Sequence, residues 1–186
     1  MKTVLVTGAS GYLGWFVSRE LVRRGRTVIG TSRDGVGMPA GVVGRRLVLD
    51  DGGLAAAALV REVAPEAVVH CAAMSDVNAC AREPERAERV NSTATGALAQ
   101  AAAHANVRLI YTSTDLVFDG SCAPYDERST PSPTGPYMQS KLAGEERVLG
   151  ASLGFLVVRV ALVYGLAGGR HGKFSDRMVA WLKEGQ

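Results

Sequence analysis

The sequence predicts a doubly wound α/β fold built on a parallel sheet. Short apolar, β-branched runs alternate with longer amphipathic stretches along the chain, the pattern of repeated βαβ units. The runs are apolar almost throughout, as expected of strands covered on both faces. The first of them passes through a glycine-rich turn straight into a helical pattern.

Taken in order, Thr3 to Thr7 is the first strand. Leu13, Val17 and Leu21 then recur at four-residue spacing, with Gly25 where a helix C-cap is expected. Thr27 to Thr31 is the second strand. Arg33 to Arg45 carries glycines at 35, 37, 41 and 44 with Pro39, which predicts a loop in place of a crossover helix and a third strand at Arg46 to Leu49. Ala67 to Cys71, Val107 to Tyr111 and Phe155 to Val160 are the remaining strands. Val90, Ala94, Ala97, Leu98 and Ala101 form a helical stripe of mostly small residues, which lets a helix lie close on the sheet. No repeat or linker divides the chain, so residues 1–186 read as one domain.

Composition narrows the function classes. Hydrophobic residues make up 47% and charged residues 21% of the chain, a balance too apolar for disorder. The net charge of +3 comes without a basic tract, so neither nucleic acid nor a membrane surface is an expected partner. Three cysteines at 71, 80 and 122 make no disulfide framework or Cys-x-x-Cys pair, and the histidines at 70, 104 and 171 are scattered, so no metal site is expected. Met1 to Thr7 lacks the features of a signal peptide, and no apolar run approaches the ~20 residues of a membrane span. The expected location is cytoplasmic.

The turn after the first strand reads Thr7-Gly8-Ala9-Ser10-Gly11-Tyr12-Leu13-Gly14. Gly8 permits the tight turn, Gly11 lets the backbone approach a pyrophosphate, and Gly14 allows close helix–strand packing. The helix N-terminus offers N–H groups and partial positive charge to the anion. At the end of the second strand, Thr31-Ser32-Arg33-Asp34 sets a hydroxyl and a guanidinium where a ribose 2′-phosphate would lie, which favours NADP. Asp34 keeps NAD as an alternative, since a carboxylate there binds the 2′-hydroxyl.

Tyr137-Met138-Gln139-Ser140-Lys141 follows Pro136 and opens a helix running to about Leu149. Residues four apart share a helix face, so phenol and ammonium can reach one ligand. Positive charge from Lys141 and an oxidised nicotinamide favours the phenolate, which fits Tyr137 for proton exchange with a substrate oxygen. Tyr111 to Gly120 places a hydroxyl cluster at the end of the fifth strand, where open α/β sheets bind ligands.

Together these pieces resemble an extended short-chain dehydrogenase/reductase of the dTDP-4-dehydrorhamnose reductase-like branch, a Rossmann-fold family. The resemblance takes in the glycine loop, Asp50, His70-Cys71-Ala72-Ala73 and Val90-Asn91. It continues through Ser113-Thr114-Asp115, Val117 to Gly120, Tyr137 to Glu145, Arg159 and Val163-Tyr164-Gly165, in family order over nearly the whole chain. It implies hydride transfer from NADPH to the keto group of a nucleotide-linked 4-keto sugar. By the same resemblance Thr114 hydrogen-bonds the substrate carbonyl and Tyr137 is the general acid. Lys141 binds the nicotinamide ribose and lowers the tyrosine pKa. Gly11, Tyr12 and Leu13 line the pyrophosphate, Asp50 faces the adenine, and Ala72 and Ala73 flank the adjoining ribose. Asn91 is a supporting residue or an ordinary polar residue of its helix.

Two positions depart from the branch: Leu116 stands where tyrosine is usual, and Tyr12 where glutamine is common. Family members also continue past the segment Phe174 to Leu182 into a further strand and a substrate-binding lobe. Most of that lobe is missing from these residues, so weak turnover is expected of the chain alone. A nucleotide sugar is the expected ligand, and a homodimer is left open. Two other functions remain: an NADP-binding regulatory subunit resembling that of methionine adenosyltransferase, and a sugar-nucleotide epimerase or dehydratase.

Overall fold

A computed structural model describes residues 2–165 and 180–184 of the chain. His171 and Phe174 lie outside the described residues. Six parallel strands form one sheet: β1 (Thr3–Thr7), β2 (Thr27–Ser32), β3 (Val42–Arg46), β4 (Ala67–His70), β5 (Arg108–Thr114) and β6 (Leu156–Val160). Their spatial order is β3-β2-β1-β4-β5-β6, so the winding reverses between β1 and β4 and opens a crevice at their carboxyl ends. The helices that flank the sheet include α1 (Tyr12–Arg23), α2 (Leu54–Val63), α3 (Val77–Arg82), α4 (Pro84–Glu88), α5 (Ala94–His104) and α6 (Pro136–Ala151). This is a Rossmann-like sheet with flanking helices.

Apolar residues on both faces explain the strand runs. Leu5, Val68, Leu109 and Tyr111 pack with Leu59, Val60, Leu98 and Val148 in one buried layer. Val4, Val6 and Val28 pack with Val17 and Leu21 of α1 in the other. α1 ends as the glycine predicted, with Gly25 at φ +72° directly after the capping Arg24.

The third strand lies four residues earlier than expected, at Val42–Arg46, in parallel register with Val28 to Ser32. As an edge strand it has one neighbour and four exposed residues, so it shows no apolar run. Leu47 and Leu49, which suggested the strand, follow it and turn into the core. The connection from β2 contains no helix, as its glycines and proline predicted.

One local irregularity bears on the site. Between α4 and α5, Arg89–Thr93 form a single π-helical turn with Asn91 and Ser92 buried in it. Among the described residues, no helix is long and apolar enough to cross a membrane.

Candidate active site

The glycine loop sits at the switch point. A Cβ at Gly8 would meet the backbone of Ala72 at 2.8 Å, and one at Gly14 would collide with the Gly8 carbonyl. The Gly11 amide donates to the Gly8 carbonyl at 2.9 Å, closing the turn. α1 follows Gly11, its N-cap residue, with no side-chain cap and no acidic residue in its first turn. A helix start of this kind fits an anionic pyrophosphate, because its N–H groups and partial positive charge gather there without an acidic residue in the first turn.

Behind the loop runs a buried chain of hydroxyls through His70. The Thr7 Oγ1 accepts from the Ala72 amide at 3.2 Å and lies 2.6 Å from His70 Nδ1. His70 Nε2 lies 3.0 Å from Thr95 Oγ1, whose hydroxyl donates to the Asn91 carbonyl at 2.7 Å. These roles are mutually consistent for a neutral imidazole with its proton on Nε2. Burial and the charge of Lys141 hold the His70 pKa down to about 3, which agrees.

At the end of β2, Ser32 donates to Asp34 Oδ1 at 2.7 Å, and the Ser32 Oγ accepts from the Gly35 amide at 2.9 Å. The Ser32 hydroxyl is therefore engaged in its own turn. The Ser32 hydroxyl and the Val36 amide hold the Asp34 carboxyl below its usual range. The Arg33 side chain is exposed, and its carbonyl accepts from Arg46 Nε at 3.2 Å. Asp50 is gripped by Arg86, Nε to Oδ1 at 3.0 Å and Nη2 to Oδ2 at 3.2 Å, which lowers its pKa.

The three residues singled out for catalysis meet at the carboxyl end of β5. Thr114, 6% exposed, ends the strand, and its Oγ1 accepts from the Leu116 amide at 3.2 Å. The Tyr137 phenol at the start of α6 faces Thr114, which offsets part of the pKa rise that burial imposes on it. One turn on, Lys141 donates from Nζ to the Thr112 carbonyl at 2.7 Å and sits 4.1 Å from the centre of the Tyr111 ring. Burial brings the Lys141 pKa down to about 7, against the opposing influence of Cys71 and Glu145. On balance the Tyr137 phenol is raised above its ordinary range. The ammonium is turned to Thr112, and desolvation dominates at Tyr137.

Two supports complete the arrangement. The Asn91 carboxamide accepts from the Met74 amide at 2.8 Å and donates to the Met74 carbonyl at 2.9 Å and to Ser140 Oγ at 3.0 Å. It thereby ties the segment after β4 to α6, as a supporting residue would. Glu145 of α6 is paired with Arg159 of β6, Nη2 to Oε2 at 2.6 Å and Nε to Oε1 at 3.0 Å. The motifs did not reveal the His70 chain, the Arg86 grip or this pairing, because each joins residues far apart in sequence. Leu116, where the branch usually has tyrosine, is 43% exposed beside Thr114.

The family model described as the RmlD substrate binding domain matches residues 1–186. The chain belongs to this RmlD family. It is 35% identical over 164 residues to methionine adenosyltransferase 2 subunit beta of Pongo abelii, covering 88% of this chain and 48% of that one. The structure of dTDP-4-dehydrorhamnose reductase from Yersinia enterocolitica superposes with a TM-score of 0.86 at 31% identity, over 100% of this chain and 61% of that one. The Bacillus anthracis dTDP-4-dehydrorhamnose reductase, solved in complex with NADP, gives a TM-score of 0.84 at 28% identity, over 99% and 61%. This RmlD-family chain thus spans about half to three-fifths of the length of these relatives.

Proposed function

We propose that the chain carries the cofactor-binding and proton-transfer half of an NADP(H)-dependent reductase acting on the keto group of a nucleotide-linked 4-keto sugar. The observation that carries this reading is the meeting of Thr114, Tyr137 and Lys141 at the carboxyl end of β5, on the same edge of the sheet as the glycine loop. The two rhamnose reductase structures, one of them with NADP, support it.

When bound, the reduced nicotinamide supplies the hydride. Thr114 then offers its hydroxyl to the substrate carbonyl, and Tyr137 gives the proton that the forming alkoxide needs. A phenol held above its ordinary pKa stays protonated until that moment, which suits a general acid. Lys141 would donate to the ribose hydroxyls of the bound cofactor, and its charge would assist Tyr137. Gly8, Ser10, Gly11, Tyr12, Leu13 and Gly14 would hold the pyrophosphate, Ala72 and Ala73 the ribose, and Asp50 the adenine side. Because Ser32 is occupied in its turn, the 2′-phosphate falls to Arg33.

The test is titration of the chain with NADPH and with NADH, followed by a 4-keto-sugar-dependent loss of NADPH absorbance. Micromolar binding that prefers NADPH, with turnover, supports the reading; a folded chain that binds neither cofactor overturns it. The likeness to methionine adenosyltransferase 2 subunit beta favours a second reading, an NADP-binding regulatory subunit. Co-purification with a synthetase and no turnover would select that one.

A further inference from the structure

Glu145 lies two turns beyond Tyr137 and one turn beyond Lys141 on α6, with its side chain 3% exposed. Arg159, in register with Ser113 next to Thr114, meets it through Nε and Nη2, one edge of its guanidinium. The same guanidinium lies 5.0 Å from the centre of the Phe118 ring, and Phe118 stacks on Tyr125 with centroids 4.3 Å apart. The Tyr125 hydroxyl in turn donates to Asp119 at 2.9 Å. One ion pair therefore joins the helix bearing Tyr137 and Lys141 to β6 and to the segment leaving Thr114.

An ion pair with one partner buried is a poor device for stability alone, since an apolar pair of similar volume often serves as well or better. What a carboxylate adds at this place is direction and charge. Lys141 is faced by His70 of β4 and Cys71 just after it, by the Tyr111 ring and the Thr112 carbonyl from β5, and by Glu145 from its own helix. Glu145 is the carboxylate among them, and Arg159 stands behind it.

We propose that Glu145, oriented by Arg159, is the positioning residue of this site: the pair fixes α6 against β6 and Phe118, and its carboxylate favours the ammonium form of Lys141. This rests on the reading of Lys141 as a cofactor-site residue. It adds that the charge on Lys141 is set from β6, a strand that contributes no group to the reaction.

The experiment follows the pH titration of Lys141 by NMR in the ligand-free chain labelled with ε-13C lysine. The lysines are Lys2, Lys141, Lys173 and Lys183, and Lys141→Met identifies the signal. E145Q removes the attracting carboxylate and lowers the Lys141 midpoint, while R159M unmasks that carboxylate and raises it. Each shift is on the order of one pH unit. R159K restores the positive charge and returns the midpoint toward that of the unmodified chain. A pair that only holds the fold together would lower stability in both single variants and leave the midpoint in place.

If either single variant fails to fold, the double variant E145M/R159M keeps apolar contact between α6 and β6, and its midpoint falls as in E145Q. Unchanged midpoints in folded variants, or shifts of the same sign in E145Q and R159M, overturn the proposal. No cofactor or substrate enters this measurement. Failure of NADPH to bind would sink the proposed function and leave the titration result readable by itself.

Discussion

Removing the Asn91 carboxamide should cost the protein about 3 kcal/mol. Asn91→Ala deletes three hydrogen bonds, two to the backbone of Met74 and one to Ser140. The Thr95 and Tyr111 hydroxyls bond the Asn91 main-chain carbonyl, so those contacts survive the substitution. At ~1 kcal/mol for each lost bond the sum is about 3 kcal/mol, and partial access of water to Met74 keeps it from rising further. For a chain of this size that is a fall in Tm of about 9 °C, readable by thermal or urea unfolding. Ser140→Ala removes the bond from Asn91 and the 2.8 Å bond that the Ser140 hydroxyl donates to the Tyr137 carbonyl, for about 1–2 kcal/mol. Because the Asn91–Ser140 bond is counted in both single variants, the double variant should cost ~1 kcal/mol less than their sum. A loss below ~1 kcal/mol for Asn91→Ala, or strict additivity in the cycle, would refute the view that this side chain clips the segment after β4 to α6.

Three further outcomes are expected. Gly144→Ala would drive a Cβ against the Tyr111 hydroxyl at 2.5 Å and the Asn91 carbonyl at 2.6 Å, for a loss of about 1–3 kcal/mol in urea unfolding. Tyr111→Phe should relieve only part of it, since the carbonyl remains. The folded-state pKa of His70 is depressed to about 3 from an ordinary 6.5, so the unfolded chain binds the proton first as pH falls. Its contribution is full above pH 6.5 and is lost toward pH 3; urea midpoints between pH 6.5 and 5 should fall more steeply for the unmodified chain than for His70→Gln. Finally, Arg33→Gln should weaken NADPH about tenfold and leave NADH unchanged in calorimetric titration, whereas equal loss for both cofactors would remove Arg33 from the 2′-phosphate.

The parts of the fold legible in the sequence are those where burial on both faces leaves an uninterrupted apolar run, as in β1 and β4. β3 was hidden because Gly44, Arg45 and Arg46 are exposed at the sheet's edge. β5 runs on past Tyr111 because Thr112, Ser113 and Thr114 pair with β6, an extension that a run of hydroxyls does not announce as an apolar run would. In the site, the glycine loop and the Tyr137–Lys141 spacing could be read because their geometry is local. The grip of Arg86 on Asp50 spans 36 residues and the Thr7–His70 bond spans 63, so only the strand order brings those partners together. The direction of the Tyr137 shift was equally hidden, because it depends on how much water the folded chain excludes from the phenol.

The π turn at Arg89–Thr93 also fixes a phase. One extra residue in a helical turn swings everything after it by about 100° around the axis. α4 buries only Ala87, whereas α5 buries Thr95, Leu98, Ala99 and Ala102 along with its small residues. A mostly wet helix can thus run into a mostly dry one without a break in the chain. Shortening this stretch by a single residue would heal the turn into ordinary helix and rotate Leu98 and Ala102 off the sheet together. Length between 89 and 93 is therefore more tightly constrained than the identity of any one side chain there, and a deletion should be far more damaging than a substitution.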